Sequence, residues 1–134
     1  MRQRNVIALL LFVIYLGVVA WCCFGHFDDM PSVQKEIMGI PTDKLVHFAM
    51  FFPFPILGFL TFQSLSNGRI KPLLLVCVVL LAGLAVAAAT EIGQSMTEYR
   101  SGDPMDFLAD ALSLTTASLA VLVVHLLRKN KKRT

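Results

Sequence analysis

Four apolar windows, each long enough to cross a bilayer, limit what this chain can fold into. They cover residues 6–24, 44–65, 72–92 and 107–127. A crossing helix needs ~20 apolar residues, and in lipid every backbone N–H and C=O must be paired inside the protein. Four such windows in 134 residues leave no room for a water-soluble core. Composition agrees: 56% of residues are hydrophobic and mean hydropathy is +0.68. Charged residues make up 16%, against roughly 25% in soluble proteins. The sequence therefore predicts an all-α integral membrane bundle of four transmembrane helices, one domain over residues 1–134.

The first window follows Arg2 and Arg4, as a signal peptide would. Its apolar run exceeds the ~7–15 residues of a signal h-region, and no A-x-A site follows it. An uncleaved membrane helix is the expectation. Cys22, Cys23 and Cys77 have no metal-ligand spacing and read as apolar helix residues. Neither a metal nor a cofactor is expected.

Charge sets the expected topology. Nine of the 12 basic residues fall on one side: Arg2, Arg4, Arg69, Lys71, Arg128, Lys129, Lys131, Lys132 and Arg133. The other side holds Lys35, Lys44 and Arg100 and all nine acidic residues. The positive-inside rule puts both termini in the cytoplasm and the acidic loops outside. The basic tail reads as an anchor near anionic lipid, not as a nucleic-acid binder.

Packing signals are concentrated in the last two helices. Gly83 with Ala87, and Ser113 with Ala117, form small-xxx-small pairs that let membrane helices approach closely. In the second helix, Pro53 and Pro55 remove two backbone donors and predict a kink or a local opening. The outer loop before it carries Pro31, Gly39 and Pro41 and predicts a turn or short helix. Ser101-Gly102-Asp103-Pro104 is a turn signal, with Pro104 suited to the first turn of the last helix.

Polar residues collect at the outer helix ends. Asp43 and His47 lie four apart on the second helix, Glu91 and Gln94 three apart on the third, Asp106 and Asp110 four apart on the fourth. Such spacings put each pair on one helix face. Arg100 and Asp103 lie on the loop between the last two helices. Charge at a membrane helix end is costly to keep, so the eight residues form the candidate binding site. Crowded acids share protons, pair with a cation such as Arg100 or Lys44, or bind a cationic partner. Three readings stay open: a structural ion-pair knot, a binding site for an envelope component, or an enzyme with His47 and carboxylates in acid–base or metal-assisted chemistry. No catalytic residue is assigned. A transporter is disfavoured, because there is no internal repeat and no mid-membrane charge.

The ordered set Asp43-Lys44-x-x-His47-Phe48, Glu91-x-x-Gln94 and Arg100-x-x-Asp103-x-x-Asp106-x-x-x-Asp110 resembles the VanZ-like family of bacterial membrane proteins. The motif region covers about residues 43–120. The family often has Asn where this chain has Asp110, and Gly near Ser113, so the site here is more acidic. The resemblance implies a small multi-pass protein of the bacterial inner membrane. The founding member is associated with teicoplanin resistance. The expected role is binding or sensing an envelope component, with a link to glycopeptide tolerance. The alternative is an intramembrane enzyme acting on a lipid-linked or phosphorylated envelope substrate. Expected partners are membrane lipids and a lipid-linked or cell-wall component.

Overall fold

A computed structural model describes residues 3–25, 36–98 and 102–131. Helix α1 spans Gln3–Phe24, α2 Thr42–Phe51, α3 Pro53–Leu65, α4 Pro72–Ser95 and α5 Pro104–Lys131. The α2 and α3 helices follow each other directly, so the chain makes four spans: Asn5–Phe24, Thr42–Leu65, Pro72–Ser95 and Pro104–Lys131. The protein is an all-α membrane bundle, with 83% of the described residues helical. Its outward-facing helix surface is largely apolar, with Leu10, Ile14, Leu81, Leu112 and Leu127 all exposed.

The proline pair acts more mildly than a sharp kink. The ladder is interrupted at Phe52, yet Phe52 keeps helical angles (φ −57°, ψ −40°) and its N–H donates to the Phe48 carbonyl at 3.1 Å. Neighbouring helices also bond carbonyls in this stretch. The Tyr15 hydroxyl donates to Met50 O (2.7 Å) and the Ser113 hydroxyl to Phe48 O (2.6 Å). The carbonyls that lose a donor to Pro53 and Pro55 are those of Ala49 and Phe51, so these hydroxyl bonds fall on their neighbours.

Helices α4 and α5 form the most extensive pairing, and the small residues explain why. Ala87, Ser113 and Ala117 are fully buried. A Cβ added at Gly83 would sit 2.7 Å from Leu114 Cδ2 and 3.0 Å from Phe54 Cδ1. Only the absent side chain admits Leu114 and Phe54 there.

Helix α1 docks on α3 through polar contacts and aromatic rings. Asn5 Nδ2 donates to Ser64 O (3.2 Å), Ser64 Oγ to Asn5 Oδ1 (2.6 Å) and Thr61 Oγ1 to Ala8 O (3.1 Å). Phe12 meets Phe54 edge-on at 5.5 Å. With apolar surroundings on both sides of a lipid-facing helix, such hydrogen bonds and close packing carry the association.

The loop between α1 and α2 ends in a two-stranded hairpin, β1 (Glu36–Ile37) against β2 (Ile40–Pro41), antiparallel with Ile37 opposite Ile40. Met38 (φ 54°) and Gly39 (φ 80°) are both left-handed, as a type I′ turn requires. Of the expected turn or short helix, the turn is the one formed, at Met38-Gly39, and a small strand pair flanks it. His26, Pro31 and Lys35 lie outside the described residues.

Candidate functional site

The site is built where α2, α4 and α5 meet at the acidic end. Helix α5 begins with a well-formed cap. Pro104 opens the first turn, where a missing N–H costs nothing, and Asp103 Oδ1 accepts the Met105 N–H at 2.9 Å. That start fixes the phase of the helix, so Asp106 and Asp110 both face α2. The preceding Gly102 lies against α4, where a Cβ would stand 2.9 Å from the Glu91 carbonyl oxygen. The Asp103 N–H then donates to Glu91 Oε2 at 3.2 Å. The loop is thereby clamped onto α4.

His47 is the hub. Its imidazole is buried, at 6% exposure, and Asp110 is fully enclosed. Nδ1 lies 3.1 Å from Asp110 Oδ1 and 3.3 Å from Oδ2, so an Nδ1–H donates to that carboxylate. Nε2 stands 3.7 Å from Asp106 Oδ2, and Nδ1 stands 3.7 Å from Glu91 Oε1. Helices α4 and α5 thus put three carboxylates around the ring that α2 supplies. Glu91 Oε1 is buried and accepts no hydrogen bond from any described residue.

Lys44 supplies the fixed positive charge one turn above. Its Nζ donates to Asp103 Oδ2 (2.8 Å) and Asp106 Oδ1 (2.9 Å), and lies 3.4 Å from Asp43 Oδ2. The hydrogen bond from Lys44, and then that from the Met105 N–H, hold the Asp103 carboxyl below the usual aspartate range. Among the described residues, five carboxylates face Lys44 and His47, which leaves the site acid-rich.

The remaining sequence-predicted residues divide. Asp43 stays at the surface, with 57% of its side chain exposed, and joins only through Lys44. Gln94 turns away from the hub: it is buried, and Nε2 donates to the Cys23 carbonyl of α1 at 3.0 Å. Arg100 lies outside the described residues. Lys44 was not among the eight predicted site residues, although its place in Asp43-Lys44-x-x-His47 put it one turn from the histidine.

One donor atom from each of His47, Glu91 and Asp106 falls within 4.8 Å of the others, and Asp43, Asp103 and Asp106 form a second such set. A nitrogen with carboxylate oxygens suits a borderline or hard divalent ion. A primary amine or another donor group would satisfy the same oxygens.

The residues that build this hub come in the order Lys44, His47, Glu91, Asp103, Asp106, Asp110. A family model described as VanZ/LLP1 matches residues 12–126. The chain belongs to the VanZ/LLP1 family. The match begins inside α1 and ends inside α5, so it takes in all four spans and extends beyond the 43–120 motif region. No curated protein and no solved structure matches the chain. For this VanZ-family protein the site geometry is therefore the main guide to chemistry.

Proposed function

We propose that this VanZ-family protein lies in the bacterial inner membrane with both termini in the cytoplasm. Its acid-rich site faces outward and binds or senses an envelope component that presents a cationic or hydrogen-bond-donating group. The observation that carries this reading is the buried His47 ring with Asp110, Asp106 and Glu91 within 3.7 Å, one oxygen of Glu91 accepting no hydrogen bond from the described residues. A buried acceptor left unpaired costs ~1–3 kcal/mol. A ligand donor recovers that cost, whereas a purely structural knot would leave it standing. The acid excess favours an amine-bearing group over a bare phosphate. The family's link to glycopeptide resistance supports a ligand from the cell envelope.

An enzymatic reading is favoured by one feature. Asp110 holds the Nδ1 side of His47 while Nε2 points towards Asp106, the arrangement of an oriented general base. A lipid-linked or phosphorylated envelope substrate would then be turned over at this site.

The test is native mass spectrometry of the protein extracted in mild detergent from its own membranes. The wild type is expected to carry an envelope-derived molecule. His47→Ala, and Asp43→Asn to a smaller degree, should lose it; His47→Ala also strands the buried Asp110 carboxylate and should lower the melting temperature, whereas the exposed Asp43→Asn should leave melting unchanged. If the wild type carries nothing that His47→Ala lacks, the binding reading fails. Conversion of the carried molecule on incubation would favour the enzyme.

A further inference from the structure

The basic end of the bundle holds a second site. Between α3 and α5 lies a cavity of about 320 Å³, within the ~300–1,000 Å³ range of small-ligand pockets. Phe52, Ile56 and Leu60 line one wall at four-residue spacing, and Ala120 and Val124 line the other. Gln63, His125 and Arg128 stand at the end nearest the helix termini. Both helices run in the same direction, so polarity rises along the groove on both walls together. From Phe52 to Gln63 the wall rises about 16 Å, at ~1.5 Å per residue, close to half of a ~30 Å hydrocarbon core. The groove is one leaflet deep.

Its charge is uncompensated. Residues 44–90 and 111–134 contain no Asp or Glu, so no acidic side chain on these helices can pair Arg128 at this end. His125 is held edge-on to Phe59, with ring centroids 5.5 Å apart, which fixes the imidazole at the mouth. A long apolar slot that ends in a guanidinium, an imidazole and an amide matches one ligand class closely. We propose that this groove holds one acyl chain of an anionic phospholipid, with its headgroup phosphate on Arg128, His125 and Gln63. Arginine suits that phosphate through paired N–H donors. The proposal is independent of what the acidic site binds.

Full-length protein in mild detergent is titrated with phosphatidylglycerol or phosphatidylcholine of identical chains, and bound lipid is read by native mass spectrometry. The wild type should retain one phosphatidylglycerol in preference to phosphatidylcholine. Arg128→Gln should reduce that preference about tenfold or more, the factor equivalent to the ~1.5 kcal/mol lower bound for a hydrogen bond to a charged group. Lys129→Gln removes the same charge one position along the same helix turn, outside the groove, and should leave the preference intact. Ala120→Phe fills the slot from an exposed position on α5 and should abolish phosphatidylglycerol retention without any change of charge. Equal losses in Arg128→Gln and Lys129→Gln would reduce the effect to diffuse attraction and overturn the site. Equal retention of both lipids by the wild type, or a dimer that Ala120→Phe dissociates, would overturn it as well.

Discussion

At the residue scale, Lys44 ties the acidic end together. Its ammonium is 21% exposed and bridges Asp103 and Asp106, the latter only 13% exposed. Lys44→Met should lower the melting temperature in detergent, because it strands two carboxylates that had shared one cation. Breaking a buried charge pair from one side costs ~3–5 kcal/mol, and this half-exposed case should cost less. Adding Asp106→Asn to Lys44→Met should cost less than the sum of the two single changes. Strict additivity would mean that the two side chains do not interact in the membrane. Asp103 gives the pH dependence. Its carboxyl is held below the usual value of ~3.9, so the folded state binds this proton less readily than the unfolded chain. Its contribution is therefore complete above about pH 4 and is lost as pH falls further. Asp103→Asn should flatten that acid limb of a melting-temperature profile, while leaving its dependence between about pH 5 and 8 unchanged. Helical spacing made much of this hub legible. Asp106 and Asp110, one turn apart, do share a face, and His47 meets them from α2. Glu91 and Gln94 show where spacing runs out. Three residues differ by about 60° around the axis, enough for one to face α5 and the other α1. Which neighbour stands behind each half of a face is a tertiary fact that spacing does not contain.

At the scale of elements, the span limits were read closely because apolar length in lipid is a physical requirement. The structure extends each helix by up to four residues at its polar ends, where hydropathy fades before helical hydrogen bonding does. The small-residue pattern correctly marked the α4–α5 seam. The proline pair was harder to read, since missing donors alone do not say that Phe52 keeps helical angles and its bond to the Phe48 carbonyl. The turn at Gly39 was legible but the strand pair around it was not, because two residues on each side are too few to show an alternating pattern. Gly83 provides the element-scale prediction. Gly83→Ala puts a methyl where Leu114 Cδ2 now lies, and overpacking of this kind costs ~1–3 kcal/mol. The melting temperature should fall. In a Leu114→Ala background the same change should cost markedly less, because the clashing methyl is gone. An equal penalty in both backgrounds would show that the seam adjusts elsewhere.

At the scale of the whole molecule, charge separates the two ends of the bundle, and both proposed sites depend on it. The acidic end concentrates carboxylates around His47, and the basic end leaves Arg128 without an acidic partner. The orientation that this polarity implies is open to direct measurement. Moving a cluster of basic residues across a bilayer during insertion is disfavoured, so the end with Arg69, Lys71 and Arg128 should stay in the cytoplasm. Single cysteines are placed in a background lacking Cys22, Cys23 and Cys77. Met38→Cys lies at the hairpin tip, where the native side chain is 97% exposed, and Met96→Cys lies just past α4, where it is 82% exposed. Ser66→Cys lies at the end of α3, in the short link to α4. Met38→Cys and Met96→Cys should react with a membrane-impermeant maleimide in intact spheroplasts, and Ser66→Cys only after lysis. The reverse pattern would invert the protein. It would direct the acid-rich site to the cytoplasm, where no cell-wall component could reach it, and the envelope-binding reading would fall with the topology.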